Sequence, residues 1–141
     1  MPSVAIRPAQ ASDLTAVSAL DQRETGVAKP DYWREMLGPD RHFLVAETDN
    51  GELAGFIAGE IRAWEFGQPA AGWVFAIQID PAQRLHGVGT ALFDTLVERF
   101  KAAGVTRVRT LVDRKDHLIL SFFRAQGMVA GPSLQLDKDL S

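Results

Sequence analysis

The chain contains no cysteine, which excludes disulfide crosslinks and thiolate catalysis and permits a reducing compartment. It contains no apolar run long enough for a membrane span or a secretion leader, and prolines already interrupt residues 1–8. Basic charge is not in excess either. Fifteen Lys and Arg against 18 Asp and Glu give a formal net charge of -3, whereas a general nucleic-acid binder shows a basic patch. The three histidines are scattered without the spacing of a metal site. These absences lead to the expectation of a soluble cytoplasmic protein that uses no metal and binds neither nucleic acid nor membrane. The mild acidity suits a cationic partner.

What is present is ordinary for a globular chain. The 141 residues are 46% hydrophobic and 23% charged, which fits one domain over residues 1–141 with a real core. Val4 to Arg7 reads as a strand ended by Pro8. A helix follows from Ser12 or Asp13, with Leu14, Val17 and Leu20 on one face, then a loop from Gln22 to Pro30 and a short helix over Asp31 to Leu37. His42 to Glu47 and Leu53 to Trp64 read as strands joined by an Asp49-Asn50-Gly51 turn. Trp73 to Asp80 is a further strand, with Phe75, Ile77 and Ile79 on one face and Val74, Ala76 and Gln78 on the other.

Gly89 to Ala103 is the strongest helix, apolar at Leu92, Phe93, Leu96, Val97 and Phe100 and capped by Gly104. Val105 to Asp113 reads as a strand, Asp116 as the cap of a helix to Gln126, and Ser133 to Leu140 as a last edge strand. The order β-α-α-β-β-β-α-β-α-β predicts an α/β fold: a mixed, mostly antiparallel central sheet with helices on both faces.

Between the strand ending at Asp80 and the strongest helix lies A-Q-R-L-H-G-V-G-T-A-L, residues 82–92. A strand, a glycine-bearing turn and a helix start build an anion site, because the first helical N–H groups lack intrahelical partners and the helix dipole adds positive potential. Gly87 and Gly89 admit a phosphate to the backbone, and Arg84 adds a full charge. A P-loop would need Gly-Lys-Ser/Thr, and no lysine lies here. The dinucleotide fingerprint would need a third glycine where Leu92 stands.

Arg84-Leu85-His86-Gly87-Val88-Gly89 fits Arg/Gln-x-x-Gly-x-Gly/Ala, and by that string the chain resembles the GNAT acetyltransferases. The resemblance extends over nearly the whole length: the I-R-P-A-Q-A-S-D-L start, the F-L-V-A-E-T-D-N-G-E-L-A-G-F hairpin and the F-F-R-A-Q-G-M end of the last helix. It implies an acetyl-CoA-dependent N-acetyltransferase. The cosubstrate would lie in a splay between the strands ending at Asp80 and Asp113. The backbone of Ile77, Gln78 and Ile79 would pair with the pantetheine arm, and the amides of Leu85, His86, Gly87, Val88, Gly89 and Thr90 would hold the pyrophosphate beside Arg84.

The chain departs from the family pattern at three positions. The Tyr that protonates the departing thiolate is Phe123, the Asn that bonds pantetheine is Asp116, and the strand Glu that serves as base is Trp73. Candidate bases are then Asp113, Glu60 and Glu24, each of which also reads as an ordinary strand-end or surface charge. His86 reads as a solvent-facing residue of the turn. Two functional readings stay open, a working transferase acting on a small-molecule or peptide amine and a non-catalytic acyl-CoA-binding module. The segment after Gly127 is short and broken by Gly131-Pro132, which leaves sheet edge exposed and suggests a homodimer.

Overall fold

The computed structural model describes residues 4–63, 65–84 and 86–141. Trp64 and Leu85 therefore lie outside the described residues. The elements run β1 (Val4–Pro8), α1 (Leu14–Thr25), α2 (Pro30–Glu35), β2 (Arg41–Thr48), β3 (Leu53–Arg62), β4 (Ala71–Ile79), α3 (Val88–Ala102), β5 (Val108–Thr110) and α4 (His117–Ala125). Contacts divide the chain into two compact units, Met1–Leu111 and Val112–Ser141. Among the described residues no helix is long and apolar enough to cross a membrane.

In the larger unit five strands form one sheet in the order β1-β2-β3-β4-β5. The first four are antiparallel neighbours, and β5 joins β4 in parallel. The mixed, mostly antiparallel sheet expected from the sequence is present. The β2–β3 hairpin closes as expected at Asn50-Gly51, with Gly51 at φ 79°.

Strand alternation sends the two faces of this sheet to different helices. Phe43 and Val45 of β2 and Phe56 and Ala58 of β3 form one core with Val17 and Leu20 of α1 and Trp33 of α2. The opposite face takes α3, whose Val88, Leu92, Phe93, Leu96 and Phe100 are buried. Each such side chain contributes roughly 1.5–3 kcal/mol on leaving water. The Phe100 ring lies directly on Gly72 of β4, in the space a Cβ would occupy. A buried carboxylate ties the first two helices together: Asp21, 2% exposed, accepts from Trp33 Nε1 at 3.3 Å and faces Lys29 Nζ at 3.2 Å.

Four expectations need correction. The helix of α1 continues through Thr25, into the segment expected to be loop, and ends at Gly26 in the left-handed region. In β4 the register slips: Ala58 faces Ala76, but Gly59 faces Val74, so Phe75 is an extra residue. That bulge moves Val74 onto the face of Ile77, and the simple alternation expected for β4 does not hold. The strand expected over Val105 to Asp113 is only Val108–Thr110.

In the smaller unit, residues 133–140 form no strand. Their leucines, Leu134, Leu136 and Leu140, are exposed, and side chains close local loops instead: Gln135 Nε2 donates to Asp137, and the Ser141 amide to Asp139. Two apolar residues in alternation behind Gly131-Pro132 do not outweigh the charges that follow. In this unit α4 starts as expected, with the Asp116 carboxylate accepting from the Ile119 amide at 3.1 Å.

Candidate functional site

The bulge at Phe75 and the brevity of β5 together open the sheet. β5 pairs with β4 only from Gly72 to Val74, and Thr110 Oγ1 takes the Val74 carbonyl at 2.9 Å where the ladder stops. Ala76 to Ile79 remain paired with β3 on one side, while no strand among the described residues pairs with the other side of Phe75 to Ile79. An extended ligand with its own amides fits such an edge. Ile77, Gln78 and Ile79 all lie on it.

Asp80 follows β4 and caps the turn after it, its Oδ1 accepting from the Ala82 amide at 2.9 Å. The chain then turns through Pro81–Gln83 and Arg84 to Gly87, which sits before α3 at φ 75°, ψ 12°. Gly87 is glycine for that dihedral: a side chain there would be strained, and a Cβ would meet nothing within 4 Å among the described residues beyond its chain neighbours. Among the described residues no side chain caps α3 at Gly87, and Ala91 N–H donates to the Gly87 carbonyl at 3.0 Å. Val88 points its side chain into the core while its backbone stands in the first turn beside Gly89 and Thr90. The Gln83 side-chain oxygen, an acceptor in this turn, is buried without a hydrogen-bond partner among the described residues. An uncapped helix start and open space above Gly87 fit an anionic ligand such as a pyrophosphate.

Two ion pairs strap the turn to the end of α1. Arg23 reaches Asp80 at 3.4 Å, and Glu24 reaches Arg84 at 3.1 Å. Sequence reasoning placed Arg84 and Glu24 in separate roles and in separate segments; the structure joins them. A cleft of about 310 Å³, lined by Ala16, Ala19, Arg23, Glu52 and Asp80 among others, lies on the α1 side of these strand ends. It includes neither the open β4 edge nor Gly87.

The other sequence-derived candidates are placed as follows. Glu60 pairs with Arg41 across the β2–β3 ladder. His86 is exposed in the turn. Asp113 does not end a strand: it is exposed, its Oδ1 accepts from the Lys115 amide at 2.8 Å and its carbonyl from the Asp116 amide at 3.0 Å. Phe123 is the buried residue of α4, with its ring edge-on to Phe122 at 5.2 Å. Sequence reasoning gave His42 a structural role at the start of a strand; its Nδ1 is buried without a hydrogen-bond partner among the described residues, and its ring stands edge-on to Phe100 at 5.3 Å. Burial, aided by the Arg99 charge, holds its pKa below the usual histidine value.

The family model described as Acetyltransferase (GNAT) family matches residues 9–128. An L-2,4-diaminobutyric acid acetyltransferase from Nocardia farcinica is 31% identical over 91 residues, covering 64% of this chain and 45% of the relative. A mycothiol acetyltransferase from Renibacterium salmoninarum is 26% identical over 112 residues, covering 76% of this chain and 32% of the relative. The chain thus spans less than half the length of these two curated relatives. Among solved structures, the aminoglycoside N-acetyltransferase AAC(6')-Iy in complex with CoA superposes with a TM-score of 0.86 at 15% identity, covering 100% of this chain and 97% of that one. AAC(6')-Ih from Acinetobacter baumannii gives 0.85 at 18% identity, covering 99% and 100%.

Proposed function

Because this chain belongs to the GNAT acetyltransferase family, we propose that it transfers an acetyl group from acetyl-CoA to a primary amine by direct attack in a ternary complex. The observation that carries this reading is the open Phe75 to Ile79 edge leading into the uncapped start of α3. The backbone of Ile77, Gln78 and Ile79 would hold the pantetheine arm. The amides from His86 to Thr90, with Arg84 and Leu85 before them, would hold the pyrophosphate. The cosubstrate supplies an activated acyl carbon, and its thiol is a fair leaving group near neutral pH.

The chain's own work is to orient that acyl group and to free the amine of its proton. An amine of pKa near 10.4 carries a penalty of roughly 4–5 kcal/mol at pH 7, which calls for a base or an ordered water. Glu60 and Glu24 each hold a guanidinium and would have to break an ion pair to take a proton. Asp113 accepts from a backbone amide instead, and we assign it the role of base, directly or through water. Phe123 has no proton to give, so water protonates the thiolate; general acid help of this kind is typically worth about 10²–10⁴-fold.

Diaminobutyrate and aminoglycosides, named for the similar proteins, are small amines, which supports a small-molecule acceptor here over a peptide. The reading places the protein in the cytoplasm and associates its exposed tail leucines in a homodimer. Phe123 favours the second reading, an acyl-CoA-binding module without turnover. Acetyl-CoA consumption against a panel of diamines, amino acids, aminoglycosides and peptide N-termini separates the two. Turnover with an amine supports the transferase, and Phe123→Tyr should then preserve or raise it. Binding without turnover across the panel supports the module.

A further inference from the structure

The Arg84–Glu24 pair occupies a guanidinium that the turn before α3 presents to an anion, and its carboxylate comes from a helix that otherwise belongs to the other face of the sheet. The adjacent Arg23–Asp80 pair ties α1 to the same turn with the opposite polarity, so the end of α1 sets a carboxylate on Arg84 in the free protein. We propose that Glu24 is a resident anion on Arg84, standing where a phosphate oxygen of the cosubstrate binds, and that cosubstrate binding displaces it. Glu24 is thereby an affinity-setting residue, which positions Arg84 in the free protein and competes for it. This rests on the reading of the turn as a pyrophosphate site.

Magnitudes decide the direction of exchange. The Arg84 side chain is 42% exposed and that of Glu24 27%. A pair so exposed shifts an equilibrium by only about two- to five-fold. A pyrophosphate brings more than one negative charge, can take a guanidinium in a bidentate fork, and gains helix-start amides that Glu24 does not reach. It therefore wins Arg84. Were Glu24 to stay, its carboxylate would face the incoming phosphate as a like charge. The competition lowers cosubstrate affinity and keeps Arg84 from collecting free phosphate and other small anions.

The test is calorimetric titration of CoA into the full chain for the wild type, Glu24→Gln, Arg84→Gln and the double variant, each at low and high salt, with thermal melting to confirm folding. Glu24→Gln should bind CoA about two- to five-fold more tightly at low salt, with the gain shrinking as salt screens the pair. In the Arg84→Gln background the same change should have no effect. Glu24→Ala should repeat the gain and guard against an artefact of the amide. Unchanged or weaker binding in Glu24→Gln overturns the proposal, as does an equal gain without Arg84, which would mark a long-range charge effect. If the wild type binds no CoA, the pyrophosphate reading itself fails and takes this inference with it.

Discussion

At Gly87 the dihedral and the site coincide. The residue stands at φ 75° before an uncapped helix, with open space where a side chain would project. Gly87→Val should therefore strain the turn and fill that space, weakening CoA binding steeply while the α3 core persists. Titration of a variant that still melts cooperatively checks it, and unchanged affinity would remove the turn from the site. His42 sets a different expectation. Its pKa is lowered in the fold, first by burial and then by Arg99. The unfolded chain then binds the proton more readily, so stability is full above the ordinary histidine value of about 6.5 and declines as pH falls below it. Urea midpoints measured between pH 7.5 and 5.5 should fall in the wild type and fall less in His42→Phe. Equal slopes would show that other groups carry the acid sensitivity.

Elements were legible where one physical signal dominated. The α3 stripe at Leu92, Leu96 and Phe100, the Asn50-Gly51 hairpin and the Asp116 cap are local, and each formed where expected. The Phe75 bulge was not legible, because a run of apolar residues reads the same with or without one extra residue. Gly59 opposite it was the faint hint, since a glycine within a strand often accompanies a bulge. The tail illustrates the converse error: alternation at Leu134 and Leu136 promised a strand, yet no partner strand pairs with it among the described residues. Packing between elements gives a direct check at Gly72, where the Phe100 ring fills the space of a Cβ. Gly72→Ala should cost about 1–3 kcal/mol by overpacking, and Gly72→Ala with Phe100→Leu should recover part of that loss. Denaturant unfolding reads both; a neutral Gly72→Ala would mean the ring moves aside freely.

For the whole molecule, the sequence carried the fold class and the glycine turn before α3, because both are signalled by local patterns. It could not carry the ion pairs Arg84–Glu24, Arg23–Asp80 and Arg41–Glu60, each of which joins residues distant along the chain. In the proposed mechanism those pairs hold Glu24 and Glu60 and leave Asp113 as the base to be tested. The central claim is that acetyl-CoA lies along the free edge of β4 and against the first turn of α3. Hydrogen–deuterium exchange of the full chain with and without acetyl-CoA addresses it most directly. The account predicts slowed exchange at the amides of residues 75–79 and 86–90, with little change on β1 and β2. Acetyl-CoA binding that leaves both segments unprotected would contradict it.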